Sequence, residues 1–364
     1  MNKKIKTVLC LYFIGLIVLA CFSLRSIKNL QNNETKNTDN IDANQIVVGF
    51  SQLGSESDWR TANTKSIQNA LTKKNGFSLI FSNGRQSQEN QIKAVRSFIF
   101  QEVNYIVIAP SLETGWDTVL EEAKQAGIPV IIVDRMIETK DQNLYVACVG
   151  TDKYAEGRKA GQWLEEYMEK QKNGNNPSTE KVPLAEKTSS KKKNELNKDS
   201  INIVVLEGTL NSTAQIGRSK GFEDIASGHK NWNIVAQESG DFTKAKGKEV
   251  MKKFLKQYDD IDVLVSQNDD MTFGAIEAIK EAGLTCGVNG DITVISFDAV
   301  SEAFDKMEEG LINVDIECNP LQGPMIAGII ERLEKGEKVD KISYVDGKVF
   351  EAENASLDRI GRSY

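Results

Sequence analysis

Polar residues recur in this chain at one kind of position, directly after short runs of Val, Ile and Leu. Ser51, Asn83, Ser111, Asp134 with Arg135, Glu207, Asn268 and Asp298 each follow such a run. The first run leads into SQLGSESDWRTAN, which sets Glu56, Trp59 and Arg60 in an opening loop and first helical turn. This set holds no nucleophile beside a base and no glycine-rich phosphate loop. A single histidine, His229, argues against Ser-His-Asp, Cys-His and multi-histidine metal chemistry, so no cofactor or metal is expected. The set does suit a neutral sugar. Each sugar hydroxyl both donates and accepts, so carboxylates such as Asp134 and Asp298 accept while arginine forks donate. The C–H face of the ring stacks on an aromatic plane, for which Trp59 and Phe242 are candidates. For Phe242 the ligand and core readings stand level; for Trp59 the neighbouring charges favour ligand contact over helix–sheet packing.

The clearest of these places is IDVLVSQNDDM at 261–271, an apolar run that breaks into Ser266, Gln267, Asn268, Asp269 and Asp270 ahead of a helical pattern at 271–282. Polar side chains at the carboxyl end of an α/β strand are where open sheets bind ligands. All three acidic or amide residues there can also cap the helix. Capping alone is the reading for Asp270, and ligand contact the reading for Asn268.

The elements that must hold these residues alternate. Strand-like runs begin at 46, 78, 105, 129, 202, 233, 262 and 292, and their near-continuous Val and Ile suit strands buried on both faces. Helical patterns lie at 61–75, 88–100, 117–126, 154–171, 215–227, 244–257, 271–282 and 321–335. Such βαβ alternation, carried through twice, predicts an α/β fold with two doubly wound parallel-sheet lobes. The 364 residues suffice for two cores, and 40% hydrophobic with 27% charged residues marks a globular chain. A net charge of −7 offers no footing for nucleic acid. Of the five cysteines none are in CxxC spacing, and Cys148, Cys286 and Cys318 read as small core hydrophobes.

Two stretches break the rhythm. Lys3, Lys4 and Lys6 precede an uncharged run at 8–24, which reads as an export segment. VLAC at 18–21 resembles a lipobox with Cys21 as the lipidated residue; an uncleaved anchor of about 17 residues is the rival. Either places the rest outside the cell membrane, attached through its N-terminus, with 25–45 as a polar tether. The stretch 172–199 carries seven lysines and four acidic residues and reads as a solvated insertion.

Six segments, VGFSQLGSESDWR, QENQIKAVRSFI, IAPSLETGW, IPVIIVDR, SGDFTKAKGKEVM and NDDMTFGAIEAIKEAG, resemble type 1 periplasmic binding proteins of the ribose- and galactose-binding group. Within that group they are most similar to the galactofuranose-binding members of sugar ABC transporters. The resemblance runs from about 46 to about 324, apart from the lysine-rich insertion. It implies two lobes joined by three hinge segments, with 46–150 and 320–345 in one lobe and 151–319 and 346–364 in the other. It also implies that Glu56, Trp59, Arg60, Asp134 and Arg135 contact a monosaccharide from the first lobe. Arg218, Phe242, Asn268 and Asp298 would do so from the second, and Asn319 from the last loop, with Glu317 its rival if the match slips. The implied partner is an ABC permease. The implied action is hinge closure around the sugar.

Three other outputs are compatible with parts of this sequence. A tethered sensor passing closure to a separate histidine kinase or chemoreceptor uses the same fold. A lactose-repressor-type factor shares it too, but places a helix-turn-helix where this chain has a hydrophobic segment. A glycosidase with Asp134 and Asp298 as its acid pair is disfavoured because Arg135 would hold Asp134 ionised.

Overall fold

A computed structural model describes residues 45–172 and 200–364; the expected export segment, Cys21, the expected tether up to residue 44 and residues 173–199 lie outside the described residues. Among the described residues no helix is long and apolar enough to cross a membrane.

The first six-stranded sheet is built from β1 (Ile46–Gln52), β2 (Phe77–Asn83), β3 (Tyr105–Ile108), β4 (Val130–Val133), β5 (Ala147–Gly150) and β11 (Ile342–Tyr344), in the order β11-β5-β4-β3-β1-β2. Every pairing in it is parallel. The second holds β6 (Ile201–Glu207), β7 (Trp232–Ser239), β8 (Val263–Ser266), β9 (Thr293–Phe297), β10 (Val314–Ile316) and β12 (Val349–Glu351), in the order β12-β10-β9-β8-β6-β7. Only β12 runs antiparallel there. The two doubly wound lobes expected from the alternation are therefore present.

Helices α1 (Asp58–Ala70), α2 (Gln88–Phe100) and α3 (Asp117–Gln125) serve the first sheet, and α4 (Lys153–Lys172), α5 (Thr213–Ala226), α6 (Lys244–Gln257), α7 (Asp269–Glu281) and α8 (Ser301–Glu308) the second. Helix α9 (Gly323–Glu334) returns to the first lobe, and a short α10 (Ala355–Asp358) closes the chain. Strands β3 (YIVI) and β4 (VIIV) are buried throughout, as strands covered on both faces must be. Phe98, Trp116 and Ile132 fill one side of the first sheet, and Phe50, Ile67 and Ile330 the other.

Two differences from the sequence reading matter. Helix α1 starts at Asp58 rather than 61, because Ser57 caps it by accepting from Arg60 N at 3.1 Å. Strands β5, β10, β11 and β12 and helix α8 were not foreseen, being only three or four residues long in the case of the strands. These strands carry the crossings between lobes. The chain leaves the first sheet after Gly150, returns after Ile316 to α9, and crosses back between β11 and β12.

The crossings are laced together. Val345 N donates to Gly150 O at 2.7 Å, Glu317 N to Lys348 O at 2.8 Å, and Lys348 N to the Glu317 carboxylate at 2.8 Å. A Cβ at Gly347 would overlap the Glu317 carbonyl, so the third crossing needs glycine there. Helix α9 docks on α1 through Asn63 Nδ2, which donates to Pro320 O at 3.1 Å, and through Gly323 N, which donates to Ser66 Oγ at 3.0 Å.

Candidate functional site

The carboxyl ends of both sheets face one cleft, where open α/β sheets place ligands. The cap at Ser57 turns Trp59 and Arg60 inward from the first turn of α1. Asp134 and Arg135 follow β4, Lys153 opens α4 just past the first crossing, and Arg218 points in from α5. Phe242 precedes α6, Asn268 caps α7, Asp298 follows β9, and Cys318 follows β10. These residues line a cavity of at most about 310 Å³.

Three of them sit in left-handed backbone, at φ 65° for Asp134, 57° for Phe242 and 111° for Asp298. Such conformations cost about 1–3 kcal/mol each and gather where a structure holds a side chain at a set angle. The Phe242 ring is seated over Gly208, where any Cβ would overlap it.

The charges form an unbroken alternating chain across the cleft. Glu56 Oε1 meets Arg60 Nε at 3.0 Å, and Arg60 Nη2 meets Asp134 Oδ2 at 2.8 Å. Asp134 Oδ1 then meets Lys153 Nζ at 3.1 Å, which lies 3.9 Å from Glu156 Oε1. Glu156 Oε2 accepts from Arg218 Nε at 2.8 Å, and Arg218 Nη2 meets Asp298 at 3.1 Å. With Arg135, the site holds four acidic and four basic side chains. Its formal charge is zero.

Burial pushes the Asp134 carboxyl up, but the charges of Lys153, Arg60 and Arg135 overcome it and hold the group below the usual carboxylate range. An ionised Asp134 is a hydrogen-bond acceptor and not a general acid. Burial, and then the like charge of Arg60, brings Arg135 down to about 10, so it still carries its proton at neutral pH. Three buried polar atoms in this wall have no partner: Glu56 Oε2, Arg60 Nη1 and Arg135 Nε. Orphaned polar atoms are rare in folded proteins, and a ligand's hydroxyls would satisfy them.

Nine of the ten residues singled out in the sequence are thus brought together. Asn319 is the exception: its side-chain oxygen accepts from Leu321 N at 2.9 Å and lies away from the cavity. Its rival Glu317 is also elsewhere, bound to Lys348 N, Arg362 at 2.9 Å and Tyr364. Cys318, between them, both packs in the second-lobe core and lines the cavity, with Lys153 Nζ 2.9 Å from its sulfur. Asn268 both caps and lines: its oxygen accepts from Met271 N at 3.0 Å and its amide donates to Phe242 O at 3.2 Å. Asp270 does not cap α7. Burial, and then Asp58 across the cleft, pushes it up to about 7. Lys153, Glu156 and Cys318 were missed. Trp59 is 4% exposed, donates through Nε1 to Cys318 O, and packs with second-lobe residues although it belongs to the first lobe.

Behind Asp298, Asp269 accepts from Ser296 Oγ and from Val300 N at 2.9 Å, while Asp315 accepts from Ala299 N at 3.0 Å. Burial pushes both carboxyls up, Asp315 to about 7, and the charge of Asp315 adds to the rise at Asp269. A folded-state pKa above the unfolded value gives stability that is whole below about pH 4 and is lost as pH rises through the folded pKa. Asp315→Asn removes this titration. The melting temperature of the variant should therefore fall less than that of the wild type between about pH 6 and about pH 8.5. Equal slopes in thermal melts would show that Asp315 does not titrate in this range.

Residues 48–341 match the family model of the periplasmic binding protein domain. The chain belongs to this family. As a periplasmic binding protein it is similar, at 38% identity over 84% of its length and 87% of the relative's, to the galactofuranose-binding protein YtfQ of Escherichia coli (strain K12). Among solved structures it is similar to the binding protein of the arabinose ABC transporter from Shewanella sp. ANA-3, bound to α- and β-L-arabinofuranose. That match has 40% identity, a TM-score of 0.75, and covers 86% of this chain and 94% of the other. A protein from Mycobacterium smegmatis in complex with β-D-fucofuranose matches at 38% identity and a TM-score of 0.75, over 86% and 93% of the two chains. The family and these relatives are solute-binding proteins and not enzymes. The catalytic use of Asp134 and Asp298 is set aside with them.

Proposed function

We propose that this chain is an extracytoplasmic sugar-binding protein that holds galactose in its furanose form and delivers it to an ABC importer by hinge closure. The observation that carries the reading is the charge chain from Glu56 to Asp298. It spans both lobes, sets four acidic against four basic side chains once Arg135 is counted, and leaves donors and acceptors at the cavity wall, as a neutral polyol requires. Trp59 and Phe242 supply apolar planes for the ring. The choice of furanose is supported by the furanose ligands of the three relatives. Membrane attachment through the N-terminus rests on the lysines and apolar run of residues 3–24.

The test is titration calorimetry with galactose, ribose and arabinose, followed by carbon-13 spectra of galactose labelled at its anomeric carbon. Galactose should bind at micromolar or tighter affinity, the bound signal should be that of a furanose, and Trp59→Ala should lose binding. A folded protein that gives no heat with any of these sugars would sink the proposal, and a bound pyranose would sink the furanose part of it.

Closure has its own clasp. Thr213 Oγ1 of α5 donates to the Glu113 carboxylate at 2.6 Å and accepts from Met136 N at 2.9 Å, joining the second lobe to two points on the first. Valine keeps the shape and removes both bonds. Thr213→Val should weaken sugar binding roughly tenfold, as two hydrogen bonds contribute about 1–2 kcal/mol together. The loss should fall on the dissociation rate, which stopped-flow fluorescence reads. An unchanged rate would mean that the clasp contributes nothing to the closed form.

A further inference from the structure

A second chamber of up to about 850 Å³ adjoins the first cavity, and Glu56 and Arg135 line both. Its other walls come from the two lobes, with Gln86, Ser111 and Leu112 on one side and Thr209, Asp241 and Lys246 on the other. It therefore lies between the lobes as they stand closed. Three buried atoms on this boundary have no hydrogen-bond partner: Glu56 Oε2, Arg135 Nε and Ser111 Oγ. Arg135 and Ser111 are 5% and 8% exposed, so solvent does not readily replace the missing partner.

The chemistry of the walls selects the occupant. Lys246 is ion-paired with Asp241, and Arg135 stands against Glu56, so the chamber is balanced in charge and a neutral occupant fits. No aromatic residue lines it, and its mostly polar side chains expose their carbon stems beside Leu53 and Leu112, a mixed surface that fits a ring carrying both hydroxyl groups and C–H faces. Leu112, 43% exposed, offers one apolar face against which a sugar ring can lie. A single monosaccharide in the first cavity leaves this chamber unused, although both lobes build it.

We propose that the site takes galactofuranosides, with one furanose in the first cavity and a second neutral sugar unit in the adjoining chamber, the link passing between Glu56 and Arg135. This rests on the sugar-binding reading above. It enlarges the ligand class from a monosaccharide to a short furanose-containing oligosaccharide.

Calorimetry on the full chain with galactose and with a galactofuranosyl disaccharide tests it, alongside Leu112→Trp and Thr209→Trp, which fill the chamber from opposite lobes and touch neither Trp59 nor the charge chain. The disaccharide should bind within about tenfold of galactose or tighter. Each tryptophan should weaken the disaccharide by about tenfold or more and change galactose by less than about twofold. The proposal is overturned if the wild type binds galactose but not the disaccharide, or if the tryptophans weaken both sugars alike. If neither sugar binds a folded wild type, the sugar-binding reading itself fails and takes this one with it; the galactose arm separates the two cases.

Discussion

Replacing Asp134 by alanine is expected to abolish sugar binding and to lower the melting temperature. Its carboxylate is the joint of the cleft: Oδ2 holds Arg60 of the first lobe and Oδ1 holds Lys153 just past the first crossing. Without it, Arg60, Lys153 and Arg135 remain buried with one carboxylate fewer, and removing one partner of a buried pair costs about 3–5 kcal/mol. Part of that cost appears as instability and part as a closed form that no longer pulls the lobes together. An affinity loss beyond about 100-fold follows if even about 3 kcal/mol falls on closure and ligand contact. Asp134→Asn keeps one acceptor and the side-chain volume but not the charge, so it should recover the melting temperature better than the affinity. Calorimetry that finds Asp134→Ala binding galactose within about threefold of wild type would refute this role.

Much of this site was legible in the sequence because its residues follow long apolar strands. Asp134 and Arg135 come after VIIV, Asp298 after TVISF, and Asn268 close after VLVS, each a run whose burial on both faces forces a Val- and Ile-rich pattern. The residues that escaped follow strands that also escaped. Lys153 comes three residues after β5 (ACVG) and Cys318 two after β10 (VDI). Four and three residues are too few for a period to show, and these strands are specified by neighbours distant in sequence. Cys148 pairs with Ile342 and Ile295 with Val314. Lys153 falls just ahead of the helical pattern at 154–171, and nothing local says that Asp134 and Glu156 will enclose it. Asn319 failed for a related reason. A hinge loop has no periodicity to fix its phase, so a slip of one residue separates Asn319 from Cys318, whose side chain does face the cavity.

The two lobes also differ in what they ask of their charges. In the first, Arg60 and Asp134 pair within the lobe, and Asp134 also reaches a lysine beyond the crossing, so part of the pairing reports closure. In the second, every polar partner of Arg218 belongs to the same lobe: Glu156, Asp298 and the Gln267 carbonyl. Arg218 therefore sets the shape of the second-lobe wall before any sugar arrives.

Arg218→Met should for that reason destabilise the free protein, and not only its sugar complex. Methionine fills much of the volume but leaves Glu156 and Asp298 buried without their shared cation, at about 3–5 kcal/mol near neutral pH. In the wild type, burial pushes Glu156 up, but Lys153 and Arg218 overcome it and hold it below its ordinary value. Glu156 thus contributes stability above its unfolded pKa that is lost as pH falls through the folded one. With Arg218 gone, Lys153 alone opposes burial, so the folded pKa of Glu156 moves up and protonation relieves the variant as pH falls. The melting-temperature gap between Arg218→Met and wild type should accordingly be widest near about pH 7.5 and narrow by about pH 5. Arg218→Lys, which keeps the charge but cannot bridge two carboxylates and a carbonyl in one plane, should fall between the two at neutral pH. A gap that stays constant across that range would place the effect in packing and remove electrostatics from the account of this wall. A narrowing gap would mean that the second lobe holds its half of the cleft open for a neutral ligand by cancelling its own charges first.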